Sequence, residues 1–152
     1  EDEDTITIIA GGGGLLGDLK KQASELNLKN IAFVGDQTQE NLSKLYNIAD
    51  VLAVPSRVEG FGLVAIEALA CGIPVVATNK GGMTDFINDK VGALVDVEDE
   101  VMLEKEISKI LNGNRTFNRL ELSQYAQNNY SQEAVINDLI NIYKDIIDNK
   151  NS

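Results

Sequence analysis

Histidine is absent from this chain and cysteine occurs once, so several chemistries are closed before any pattern is sought. No Ser-His or Cys-His nucleophile pair can be assembled, nor a histidine-based metal site. Cys71 has no partner for an internal disulfide; at the end of an apolar stretch it reads as a small buried residue. Basic residues are scarce: 13 against 24 acidic ones give a net charge of −11. That balance repels nucleic acid and anionic membranes. A small phosphate ligand stays compatible with it, because helix ends and backbone amides act at contact distance whatever the overall sign. The apolar stretch Phe61–Ala77 is interrupted by Glu67, Gly72 and Pro74, so no direct membrane span is expected. Glu1-Asp2-Glu3-Asp4 is the opposite of a signal peptide's basic start. Residues 1–4 are read as an acidic, disordered N-terminus and the protein as cytoplasmic. There is no repeat or low-complexity linker, and 152 residues correspond to about one domain, which we place at residues 5–152.

What is present alternates between two periodicities. Thr5–Ala10 is β-branched, apolar and followed by glycines, and reads as a strand. Leu15–Leu28 carries apolar residues at helical spacing. Ile31–Val34, Val51–Pro55, Pro74–Thr78 and Gly92–Val95 read as further short strands. Helices are expected over Gln39–Ala49, Leu63–Cys71, Glu98–Leu111, Phe117–Asn128 and Gln132–Asp148. In the last, Ser131 serves as N-cap and Val135, Leu139, Ile142, Tyr143 and Ile146 form a buried stripe. Strands apolar on both faces, alternating with helices, predict an α/β fold: a Rossmann-like parallel sheet with helices on both faces. In such sheets ligands sit beyond the carboxyl ends of the strands, where Gly11, Gly35, Ser56 and Thr78 fall.

The most informative stretch is Val54–Thr78. Glu59 ends a loop, Gly60 and Gly62 flank Phe61, and Glu67 is the only charge in the helix that follows. A carboxylate in an apolar helix is costly unless it is hydrogen-bonded or opens on a cleft. Residues 60, 63, 64 and 67 share one helix face, so Glu67 leans back toward the helix start and Glu59. Between the two glutamates lie backbone amides without internal partners, at the positive end of the helix dipole. Glycines there let a ligand reach the backbone. Carboxylates that accept from vicinal hydroxyls, beside a helix end that accepts phosphate, match a nucleoside diphosphate sugar.

With its spacing of eight positions, this pair resembles the E-x7-E donor-site signature of retaining GT-B glycosyltransferases, the group 1 or family 4 class. The resemblance extends to Leu45-Tyr46-Asn47-Ile48-Ala49-Asp50-Val51 and to Gly72-Ile73-Pro74-Val75-Val76-Ala77-Thr78 with Gly81-Gly82, and covers nearly the whole chain after Thr5 as a C-terminal donor-binding domain. It implies transfer of a sugar from a nucleoside diphosphate sugar to an acceptor, with no metal and no other cofactor. Glu67 would bind the ribose hydroxyls, and Glu59 would be the catalytic-site carboxylate that orients the donor sugar. The backbone of Gly60, Phe61, Gly62, Leu63 and Val64 would hold the sugar and distal phosphate. Arg57 and Lys80 could add positive charge, Gly35 would approach the base, and Asp85 matches an acidic position of the family. The G-R-x-x-x-x-K-G stretch expected at the first strand has no match, so the first β-α unit is expected to be lacking. The acceptor-binding N-terminal lobe would be a partner, fused or separate, and transfer by this segment alone is not expected.

Two other readings stay open. Gly12-Gly13-Gly14-Leu15-Leu16-Gly17 fits G-x-G-x-x-G after a strand, with Asp36 about 20 residues on, as an NAD or flavin site would require. A module that binds a sugar nucleotide without chemistry would keep the same pocket. Asp96-Val97-Glu98-Asp99-Glu100 has the acidic character of a metal motif, but acidic residues entering a helix are expected from the dipole.

Overall fold

The computed structural model describes residues 5–150, with side chains through Asp148. The disordered tail expected at residues 1–4 lies outside the described residues. The chain divides into two compact units, Glu1–Lys44 and Leu45–Ser152.

The first unit holds β1 (Thr7–Ala10), α1 (Leu16–Glu25), β2 (Ile31–Gly35) and most of α2 (Gln39–Ile48). β1 and β2 pair in parallel, Thr7 opposite Ile31, with a register shift between Ile9 and Ala10. Gly11 and Gly13 take φ of +118°, a conformation that lets the chain turn from β1 toward α1 at little steric cost. Both faces of this pair were expected to be covered, yet Ile6, Ile8 and Val34 are exposed and Ala23 is the only buried apolar side chain among the unit's described residues. Two strands of four and five residues with one intervening helix offer too few apolar groups to seal two faces.

The second unit contains β3 (Leu52–Val54), α3 (Leu63–Ala70), β4 (Val75–Thr78), α4 (Met83–Phe86), β5 (Gly92–Val95), α5 (Glu100–Leu111), α6 (Arg119–Tyr130) and α7 (Gln132–Lys150). Its sheet runs β3-β4-β5 with every pairing parallel, as the alternation predicts. Leu103, Ile107 and Ile110 of α5 cover the face formed by Val76, Ala93 and Val95. Val75 and Ala77, which point the other way on a pleated strand, are equally sealed at 0% exposure. Gly92 opens β5 because a Cβ there would lie 1.8 Å from the Val75 carbonyl oxygen. Ala65, Ala68 and Leu69 form the fully buried face of α3, which packs on α6 through Leu122 and Ala126.

Two expectations are corrected here, and one element is new. Cys71 is half-buried at the C-cap of α3 rather than enclosed. The four-residue α4 was not foreseen, because four residues are too few to show a periodicity. The stripe of α7 is exposed: Val135, Leu139, Ile142, Tyr143 and Ile146 range from 45% to 64%. The period was correct and the helix forms, with Ser131 Oγ accepting from the Ala134 amide at 3.2 Å. Among the described residues, that face stays about half open to solvent.

Candidate functional site

β3 ends at Val54, and the loop Pro55–Gly62 leads to α3. This loop is fixed at both ends by the next strand and turn. The buried Thr78 hydroxyl donates to the Ser56 carbonyl oxygen at 2.5 Å. The Gly82 amide donates to the Gly60 carbonyl at 2.9 Å. The approach at Gly81 and Gly82 is close enough that a Cβ on Gly81 would lie 2.0 Å from the Glu59 carbonyl oxygen, and one on Gly82 2.8 Å from Phe61 Cα. Met83 lies beneath Gly62, where a Cβ would meet its Cε at 2.5 Å. Phe61 rests against Phe86 and Tyr130, with ring centroids 5.9 and 6.4 Å away, while remaining half exposed.

Gly62 is the N-cap of α3, in the left-handed conformation with φ of +86° and no side-chain cap. The first intrahelical bonds are those of Ala65 and Ile66 to the Gly62 carbonyl. The Leu63 and Val64 amides therefore have no helical acceptor and carry the positive end of the dipole. Leu63 and Val64 are themselves exposed.

Both glutamates flank this start and both are half-buried. Glu59 turns its carboxylate onto its own loop: Oε1 accepts from the Gly60 amide at 3.0 Å, and Oε2 lies 3.5 Å from the Ser56 hydroxyl. Glu67 accepts at Oε2 from the Tyr46 hydroxyl of α2 at 3.3 Å. Burial, with the adjacent Glu67 carboxylate as second cause, pushes the Tyr46 phenol up to about 12 from its ordinary 10.0. Neither glutamate enters an ion pair among the described residues.

The other expected site residues are distributed differently. Arg57 is exposed and paired with Glu98 at 3.0 Å, so its guanidinium is engaged there rather than waiting at the helix start. Lys80 is exposed, its amide donating to the Thr78 carbonyl. Gly60 is exposed. Gly35 belongs to the first unit, where it closes β2 with φ of +67° and accepts from the Gly11 amide at 2.8 Å. Asp99 caps α5 through the Met102 amide at 2.9 Å, so this member of the acidic run serves the helix end. In the sequence Tyr46 stands out only as part of the stretch Leu45–Val51 that carries the resemblance, and its bond to Glu67 was missed. The available signal was chemical: a buried tyrosine hydroxyl requires a partner.

The model of the family described as glycosyl transferases group 1 matches residues 1–130. The chain belongs to the group 1 glycosyltransferases. A D-inositol 3-phosphate glycosyltransferase of Salinispora tropica is 34% identical over 95% of this chain and 32% of its own length. Among solved structures, the sucrose-phosphate synthase of Thermosynechococcus elongatus superposes with a TM-score of 0.78 at 30% identity, over 92% of this chain and 38% of that one. The Anabaena protein HepE, solved in complex with UDP, reaches 0.67 at 25% identity, over 96% and 41% respectively. The chain thus spans about a third of the length of the curated relatives it matches. As a group 1 glycosyltransferase segment it has the α/β, Rossmann-like character of a GT-B C-terminal lobe. The family match runs through the glycine run Gly11–Gly14, which removes the need for a separate dinucleotide-binding reading of those residues.

Proposed function

We propose that this segment is the donor-binding half of a retaining glycosyltransferase that uses a nucleoside diphosphate sugar. The observation that carries the proposal is the start of α3, where no side chain caps the helix and the Leu63 and Val64 amides have no helical acceptor, with a half-buried glutamate on either side of it in sequence. Glu67 accepts from the ribose hydroxyls. Glu59 accepts from hydroxyls of the sugar ring and orients it for transfer. The amides from Phe61 to Val64 receive the distal phosphate, stabilising the negative charge that develops on the departing diphosphate without a metal. Arg57 adds charge once released from Glu98, an exposed pair of small net value, and Lys80 is a second source. These groups position and stabilise rather than carry the proton.

The UDP bound to HepE and the family membership support a nucleotide-sugar donor; the base, the sugar and the acceptor are left open by this segment. Acceptor contacts come from a second lobe, fused or separate, as the greater length of the relatives suggests. The cytoplasm is the proposed compartment, in keeping with a single unpaired cysteine. The test is turnover by the full-length protein. Glu59→Gln and Glu67→Ala are each expected to lower it by roughly a hundredfold, the scale set by loss of substrate positioning. Wild-type rates from both would overturn the assignment.

A further inference from the structure

The bond between Tyr46 and Glu67 joins residues 21 positions apart, one on α2 and the other in the middle of α3. Tyr46 is 7% exposed, so its ring is fixed by packing and its hydroxyl has little solvent to turn to. Glu67 sits on the half-open side of α3 with Leu63 and Val64, and its flexible side chain has no cationic partner among the described residues. Resting on the donor-site reading above, we infer that Tyr46 is a positioning residue. Its hydroxyl holds one oxygen of the Glu67 carboxylate so that the other faces the ribose diol.

The choice of donor is what makes the arrangement work. A lysine or arginine in the place of Tyr46 would form an ion pair, and ribose hydroxyls would then compete with a cation for the same carboxylate. A neutral phenol restrains the side chain and leaves its charge available. It also remains a donor across the working pH range, since burial and the neighbouring carboxylate keep it protonated to about 12.

The experiment is calorimetric titration of the full-length protein, wild type, Tyr46→Phe and Glu67→Gln, with UDP, GDP and ADP and with the 2′,3′-dideoxy form of each. The wild type is expected to favour the ribose form of its nucleotide. Tyr46→Phe is expected to lose roughly tenfold of that preference, as for removal of a hydrogen bond to a charged group, while binding the dideoxy form as the wild type does. In turnover, the donor KM rises and kcat holds. Full retention of the ribose preference in Tyr46→Phe, or equal weakening for both forms, would overturn the inference while leaving the donor site standing. Full preference in Glu67→Gln, or no binding of any of the three diphosphates, would overturn the donor-site reading and this inference with it.

Discussion

The Thr78 hydroxyl at the end of β4 holds the Ser56 carbonyl at 2.5 Å, and so hangs the loop that carries Glu59 from the central strand of the sheet. Thr78→Val keeps the shape and removes the donor, leaving a part-buried carbonyl without it. The expected cost is about 1–2 kcal/mol, read by chemical denaturation, with a parallel loss of nucleotide affinity. Thr78→Ser should recover most of both. A Val variant with wild-type stability and affinity would show that the loop is held by other means.

Gly81 is held in place by two constraints at once, a φ of +59° and a backbone carbonyl 2.0 Å from where its Cβ would lie. Gly81→Ala must therefore push the Glu59 carbonyl away or abandon the turn. A destabilisation of about 2 kcal/mol or more is expected from the backbone strain, with donor-dependent turnover falling further than stability alone explains. By contrast, Gly17→Ala meets nothing within 4 Å, and as a glycine inside a helix it should be neutral or mildly stabilising.

Alkaline pH should weaken the fold through two tyrosines. Burial raises both Tyr46 and Tyr130 to about 12; Glu67 adds to the first, and a hydrogen bond with Tyr125 adds to the second. The folded state thus holds protons that the unfolded chain releases near 10.0. Their contribution is complete below pH 10 and is lost as pH rises from there to about 12. Denaturation midpoints measured across this window should fall for the wild type and fall less for Tyr46→Phe or Tyr130→Phe. Identical slopes in all three proteins would refute the shifts.

At the acid end the relevant group is Glu106, whose carboxyl is held below its ordinary 4.5 first by the hydrogen bond from Lys109 and then by the charges of Lys109 and Arg115. Arg115 also donates to the carbonyls of Asp89 and Gly92, tying the start of β5 to the end of α5. A depressed carboxyl stabilises the fold above its unfolded value, and the contribution disappears as pH falls below 4.5. Glu106→Gln should therefore cost about 1–2 kcal/mol near neutrality and progressively less in acid. An equal cost at every pH would mean that packing, not charge, is what Glu106 provides.

Much of the fold was legible because it is set by local patterns. Alternating apolar strands and amphipathic helices predicted the parallel pairings, and the glycines around Phe61 predicted a helix start there, which α3 beginning at Leu63 bears out. What escaped was non-local. The α7 stripe has the right period, but period states only which residues share a face, not whether anything covers it. The bond of Tyr46 escaped because its partner, Glu67, lies on another helix.

By itself, the sequence determined the α/β class, the order of every element but the short α4, the family and the candidate residues, since each depends on residue type and spacing along the chain. The tertiary structure alone decided that Tyr46 meets Glu67, that Gly81 and Gly82 brace the Glu59 loop, that Arg57 pairs with Glu98, and that α7 keeps its apolar face open. Contacts of that kind follow from the path of the backbone through space, which brings together residues that no short-range pattern relates.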